Sequence, residues 1–373
     1  MVNHYVPELP SSPKDNANID SIVEAVDITR NLRSAQTFVL SKLVRQNRHI
    51  NLYWTTGDGL PDFNNTNSEA LSYFLLWNAR EKNKEEFDKG FEFVQTRMMH
   101  KSGYLMWKLD ANDNASLDGS NIASDADLRT LKALYIASEQ WKDERYTDMI
   151  DRLATGLEKV AVTSDNYLSP YGGMSGDTAW TAREVWLSYT DFTVLKRLST
   201  REPWKSVYTN MKQAFLDAQL DNGLYNPELT ESRDEGNGLD LGEYSINSMW
   251  MMVRAAESDD AELQASARKS LDFYKKKFST DNAVYSSYTS SGEPSFVESA
   301  WAYALVARAA IALEDAEFSK DMINKLISFQ VMDNNSVYFG AIPEGADKRV
   351  GQFTMQEAIL TMQDFVEKAY KMR

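Results

Sequence analysis

No cysteine occurs in the 373 residues, which excludes disulfides and thiolate zinc sites while leaving the compartment open. Histidine is almost as scarce: His4, His49 and His100 stand far apart, and none has a metal-ligating partner three or four residues away. That spacing argues against a transition-metal centre, and no cofactor is expected. No run approaches the roughly 18 apolar residues that span a bilayer, and Met1-Val2-Asn3-His4-Tyr5 does not open a signal peptide. Positive charge is outnumbered, with 40 Lys and Arg against 55 Asp and Glu and a net charge of −15. A polyanion would be repelled, which argues against nucleic acid and anionic membrane surfaces as partners and leaves neutral or cationic ligands.

Aromatic residues are plentiful. Nine Trp, 18 Tyr and 16 Phe, in a chain that is 43% hydrophobic, supply a sizeable core and leave rings over for a ligand groove. After an extended arm over residues 1–18, helical periodicity runs from Asp20 to about Val44, and 47–66 reads as loop or short strand. Helices then come in pairs: about 67–80 with 82–99, 125–141 with 143–160, 177–198 with 204–220, 244–256 with 260–278, and 296–313 with 316–329. The last, about 353–372, takes the N-terminal helix as its mate, so the two chain ends close a ring of six hairpins.

A repeated turn-rich punctuation supports the count. It reads Lys101-Ser102-Gly103-Tyr104, Asp165-Asn166-Tyr167, Asp221-Asn222-Gly223-Leu224-Tyr225, Asp281-Asn282-Ala283-Val284-Tyr285 and Asp333-Asn334-Asn335-Ser336-Val337-Tyr338. Within each pair the first helix is apolar nearly all round and the second carries a charged stripe, the pattern of an inner and an outer ring. The expected fold is all-α, an (α/α)6 barrel, with residues 1–373 forming one domain and the protein a monomer.

In such a ring the inner helices start at one rim, so their first residues converge on a mouth. Those residues are polar: Glu69, Asp125, Asp127, Asp177, Arg183, the stretch 234–244, Glu298 and Gln356. Each has two readings. Thr66-x-x-Glu69 fits a capping box, and a partly desolvated Glu69 equally fits a general acid. Asp125 and Asp127 after Ser124 fit helix capping, and equally one half of a carboxylate pair. Paired carboxylates across an aromatic-lined mouth suit glycosidic hydrolysis, one donating a proton to the leaving oxygen and the other activating water. Trp54, Trp107, Tyr189 and Trp250 are either core residues or platforms for sugar rings.

Three segments carry a family resemblance over about residues 50–195. Thr66-Asn67-Ser68-Glu69-Ala70-Leu71-Ser72-Tyr73, then Trp107 with Ala123-Ser124-Asp125-Ala126-Asp127-Leu128, then Leu187-Ser188-Tyr189-Thr190-Asp191-Phe192 resemble, in order, motifs of glycoside hydrolase family 8. The resemblance implies an (α/α)6 barrel and an inverting endo-acting hydrolase of β-linked polysaccharide. It makes Glu69 the general acid, Asp125 a ligand of the sugar at the cleavage point, and Trp107 and Tyr189 subsite contacts. Asp127 matches the second signature Asp, with a structural role.

One departure stands out. Many members have Tyr-Asp-Ala-x-Arg at the fourth inner helix, where the Asp is the general base; here Tyr244-Ser245-Ile246-Asn247-Ser248 stands instead. Serine is too weak a base, and the stretch just upstream offers Asp234, Asp240 and Glu243. Asp240, between two turn-forming glycines, is favoured. The catalytic candidates are therefore Glu69, Asp240 and Asp125, with Trp54, Trp107, Asp127, Tyr189, Tyr244 and Trp250 as substrate contacts. The departure points away from cellulose, toward another β-glucan or a bacterial exopolysaccharide, including one with an amino sugar. Ser245 also keeps open a polysaccharide-binding protein that has lost its base. A cyclase or prenyltransferase would want an Asp-rich magnesium motif, which Asp125-Ala126-Asp127 approaches without matching. By resemblance the site of action is extracellular or in the cell envelope.

Overall fold

A computed structural model describes residues 19–56, 64–116, 118–229, 246–344 and 348–371. Among these are twelve α-helices: α1 Ile19–Phe38, α2 Ser68–Arg80, α3 Lys84–Phe93, α4 Ser124–Trp141, α5 Glu144–Val160, α6 Phe192–Leu198, α7 Trp204–Asp217, α8 Ile246–Ala256, α9 Ala261–Asp281, α10 Ala300–Ala312, α11 Ala316–Ser328 and α12 Gln352–Lys371. None of them is long and apolar enough to cross a membrane. The even-numbered helices form the inner ring: α2 packs on α4 and α12, α10 on α8 and α12, and α4 on α6. α1 packs on α12, so the first and last helices do close the circle.

Burial separates the rings. Every residue of α2 from Ser68 to Ala79 is buried, whereas α5 buries only one stripe, Tyr146, Met149, Ile150, Leu153, Ala154, Gly156, Leu157 and Val160. The inner-to-outer corners reuse one device. A left-handed residue ends the first helix and an Asn or Asp caps the next, as in Lys82-Asn83, Lys142-Asp143 and Glu314-Asp315. The cap side chains accept from the amides of Glu86, Arg145 and Phe318, satisfying donors that the first helical turn leaves free.

The outer-to-inner connections begin with another repeated turn. Bridges join Val44 to Ile50, Met99 to Leu105, Val162 to Leu168 and Gln219 to Tyr225, and recur inside loops between Leu109 and Ala115 and between Tyr288 and Pro294. In each, the residue four places after the first is left-handed: Arg48, Gly103, Asn166, Gly223, Asp113 and Gly292. Three of the five punctuation marks read from the sequence are this turn. The other two differ: Asn282 is the left-handed cap of α9, and 333–338 forms plain turns.

The third inner helix is a correction. Residues 177–191, expected to be helical, form a hairpin, β4 Gly172–Ser175 with β5 Thr178–Thr181, then β6 Val185–Trp186 and a short turn; α6 is only seven residues long. The β-branched and aromatic run Thr178-Ala179-Trp180-Thr181 suits a strand. The helix waits for Asp191, whose Oδ1 accepts from the amides of Thr193 and Val194. Asp177 is consequently fully exposed at the hairpin turn and Arg183 exposed nearby, neither of them in the first turn of an inner helix.

Short ribbons stitch the rim where the inner helices start. β1 Tyr53–Trp54 pairs with β8 Val350–Gly351, β2 Thr66–Asn67 with β3 Lys108–Leu109, and β6 with β7 Glu228–Leu229. The amide of Ile122 donates to Gly172, joining the loops before α4 and α6. The opposite end holds a cavity of about 510 Å³ whose walls include Arg80, Lys132, Arg197, Glu257, Arg308 and Asp364, and neither Glu69 nor Asp125.

Candidate active site

Glu69 sits in the first turn of α2 and is 8% exposed. It is not part of a capping box. Asn67 is the cap, its Oδ1 accepting from the Ala70 amide at 2.9 Å, and Thr66 lies in β2. Relieved of that duty, Glu69 directs Oε1 to the Trp107 indole, which donates at 3.1 Å. Its Oε2 is buried and has no hydrogen-bond partner in the protein among the described residues. The β2–β3 pairing brings Trp107 there, with the Ser68 amide donating to the Trp107 carbonyl at 2.8 Å.

Asp125 occupies the matching place in the first turn of α4. Ala123 is the cap residue and offers no side-chain cap, and the Ser124 hydroxyl is buried without a partner among the described residues. Asp125 is free for other work. Oδ2 accepts from Arg129 at 2.9 Å, one helical turn on, while the buried Oδ1 is unpartnered among the described residues. Arg129 is itself buried, donates to the Ser72 hydroxyl at 2.9 Å, and lies 4.1 Å over the Tyr73 ring. The guanidinium thus fixes Asp125 through one oxygen and leaves the other without a partner among the described residues.

The electrostatics follow from this packing. Burial, and next the charge of Asp125, push the Glu69 carboxyl up to about 8, against opposing contributions from the Trp107 hydrogen bond and Arg129. At neutral pH Glu69 therefore carries a proton it can donate. Tyr189, partly buried in the turn before α6, feels the same pair. Burial raises its phenol above the ordinary range, and the charges of Asp125 and Glu69 raise it further.

The remaining candidates divide. Asp127 is completely buried, and its Oδ1 accepts from the Leu105 amide at 3.0 Å, holding the turn that follows the outer helix. Burial pushes its carboxyl well above the usual range. Trp250 is 7% exposed and lies in the barrel interior under guanidinium groups, with Arg254 at 4.4 Å and Arg129 at 5.6 Å from the ring centre. It packs rather than presents a face. Trp54 is partly buried on the rim between Phe38 and Tyr338, at 5.2 and 5.1 Å. Asp240, Tyr244, Ser245, Asp234 and Glu243 lie outside the described residues.

Sequence reasoning missed Arg129, although its i, i+4 spacing from Asp125 is the signal for such a pair. It also missed the rings grouped beside Tyr189. Trp186 meets Tyr189 at 5.1 Å, and Tyr171 meets Trp186 at 6.1 Å and Trp180 at 6.4 Å.

The model of the glycosyl hydrolases family 8 matches residues 61–342. No curated protein matches the chain. Among solved structures, a novel alpha-amylase from Clostridium perfringens is 22% identical, with a TM-score of 0.77 over 90% of this chain and 97% of that one. PssZ from Listeria monocytogenes is 16% identical, TM-score 0.66, over 88% and 94%. A beta-1,3-1,4-glucanase from Paenibacillus sp. X4 is 15% identical, TM-score 0.68, over 91% and 93%. All three share the fold.

Proposed function

The chain belongs to glycosyl hydrolase family 8 and is a glycoside hydrolase, and from that premise we propose that it cleaves a polysaccharide internally with inversion, Glu69 donating the proton. The observation that carries this is the buried Glu69, pushed up to about 8 beside a carboxylate that Arg129 keeps in place. A proton donor of this kind protonates the leaving glycosidic oxygen, and inversion requires a second carboxylate on the far side of the ring, spaced to admit water. Asp240 is our choice for that base, with Asp234 and Glu243 as neighbours on the same stretch. Asp125, through its unpartnered Oδ1, takes a hydroxyl of the sugar at the cleavage point. Trp107 and Tyr189 flank that unit.

For the substrate we favour a β-linked glycan, a β-glucan or an exopolysaccharide, met outside the cytoplasm or in the envelope. A second reading, an α-linked glucan, is supported by the Clostridium perfringens structure, which is named an alpha-amylase and has the higher similarity of the three described. A third, sugar binding without hydrolysis, rests on Ser245 standing where many members have the base.

The test is reducing-end release from barley β-glucan, xylan, chitosan, bacterial exopolysaccharide and soluble starch by the parent, Glu69→Gln and Asp240→Asn. We expect release by the parent and a loss of about a hundredfold or more in each variant, the usual size of a general acid or base contribution. An active Asp240→Asn would move the base to Asp234 or Glu243. Binding with no release on any polymer would replace hydrolysis by the binding reading.

A further inference from the structure

The inner helices that start beside Glu69 and Asp125 share a far end, and it is not packed shut. The cavity of about 510 Å³ lies there, against the last turns of α2, α8 and α10 and the middle of α4. Its volume falls in the range of small-molecule pockets. Its charge is not that of the rest of the protein. The chain has a net charge of −15, yet this wall carries five cations, Arg80, Lys132, Arg197, Arg308 and Lys368, against three carboxylates, Glu257, Asp364 and Glu367. Burial raises the Asp364 carboxyl, against the pull of Arg80 and Arg308, which lightens the acidic side further.

Helix ends explain only part of this. Arg80 stands in the last turn of α2, where a cation offsets the negative end of the helix. Lys132 sits in the middle of α4, and Arg308 falls short of the last turn of α10 with its side chain 1% exposed. Shared acids make the three neighbours: Asp364 joins Arg80 to Arg308, and Glu257 joins Arg308 to Lys132. Behind them Glu357 holds Arg308, and Asp191 holds Lys132 and Arg254. The cations are therefore fixed in place before any ligand arrives.

Donors remain on them. Arg308 Nε is buried with no hydrogen-bond partner among the described residues, and Asp364 Oδ2 stands 3.5 Å away. Arg80 uses Nη1 alone among the described residues, on Asp364 at 2.7 Å. At the rim, Arg197 and Lys368 reach Glu139 and Glu314, pairs on exposed side chains that are worth little, so both heads are able to turn inward. Beside the cations, Ile136, Val194, Ile311 and the Tyr135 ring give an apolar wall.

We propose that this cavity binds a small phosphate monoester, its phosphate among Arg80, Arg308 and Lys132 and its sugar- or nucleoside-sized body against the apolar wall. A phosphate monoester carries about two negative charges at neutral pH, which matches the surplus of two cations. The guanidinium fork suits phosphate oxygens. The body follows from the volume, which is many times the roughly 30 Å³ that one water takes up. This site goes beyond the hydrolytic reading and does not depend on it.

The experiment is calorimetric titration of the full chain with glucose 6-phosphate, adenosine monophosphate, inorganic phosphate and glucose. We expect one-to-one binding of at least one ester tighter than about 1 mM. In the double variant Arg197→Ala with Lys368→Ala, changed only at exposed side chains, affinity should fall about tenfold, the size of a lost charge-assisted hydrogen bond. Ala312→Trp, which fills the cavity, should abolish binding. Neither ester binding that tightly overturns the proposal, as does inorganic phosphate or glucose binding as well as the esters. Affinity equal to the parent's in the rim variant puts the ligand elsewhere and overturns the site, and that variant decides the matter alone if Ala312→Trp does not fold.

Discussion

At the scale of single residues, the two acids beside the mouth were legible as positions and not as environments. The sequence places Glu69 and Asp125 at helix starts, where capping and catalysis predict the same residue types. The structure separates them because Asn67 and Ala123 occupy the cap positions and leave both carboxylates for the groove. A consequence concerns pH. If Glu69 is the proton donor, activity should fall as pH rises through about 8, and kcat/KM against pH reports that group in the free enzyme. In Asp125→Asn the fall should move to lower pH, because a charge that raises Glu69 is gone and Arg129 is left uncompensated. An unmoved or raised limb would contradict the coupling. Stability carries the same signature. Glu69 holds its proton more tightly folded than unfolded, so its contribution is full below about pH 4.5 and is lost as pH rises through 8. Glu69→Gln should therefore gain in Tm over the parent between pH 5 and pH 8.5.

At the scale of elements, the long periodic helices were readable and the third inner one was not. Its stretch mixes a helix-compatible apolar pattern with β-formers, and the deciding residue is Asp191, which caps α6 while taking ion pairs from Lys132 at 3.2 Å and Arg254 at 3.1 Å. No local window reveals partners that distant. The recurrent turn was half legible: glycine and asparagine advertise a left-handed residue, whereas Arg48 and Asp113 adopt it under tertiary constraint. Its rigidity is testable. At Gly103, with φ of +96°, a Cβ would lie 2.7 Å from the Arg152 carbonyl; at Gly176, with φ of +63°, it would meet nothing within 4 Å. Gly103→Ala should cost about 2–4 kcal/mol, strain plus displaced helix, and Gly176→Ala about 1 kcal/mol, read from urea midpoints. Equal costs would mean that the α5 contact yields freely.

At the scale of the whole molecule, the ring was visible in the count of helix pairs, but its ionic interior was not, since charged residues inside apolar helices read as noise in the period. Tyr73 donates to Glu357 at 2.8 Å. Arg308 pairs with both Glu357 and Glu257, Lys132 with Glu257 at 2.7 Å and Asp191, and Arg80 with Asp364 at 2.7 Å. Burial works against the charge on Asp191, yet Lys132 and Arg254 hold it at about 2. Its contribution is therefore present above about pH 4 and lost as pH falls toward 2. Arg308→Met should leave the buried Glu357 with the Tyr73 hydroxyl and no cation, Glu257 keeping Lys132, and cost about 3–5 kcal/mol in chemical denaturation. A cost near zero would mean that water enters from the charged cavity at that end.

The closure of the ring by its first and last helices also sets a clock. Gln356 on α12 donates to the carbonyl of Ala70 on α2 across 286 residues of sequence. During synthesis at about 5–20 residues per second, α2 waits roughly a quarter of a minute to a minute for that partner. Its side toward α12, which carries Tyr73 and Trp77, is meanwhile open to whatever meets a nascent chain, so the ribosome-bound barrel is a customer for chaperones until α12 emerges.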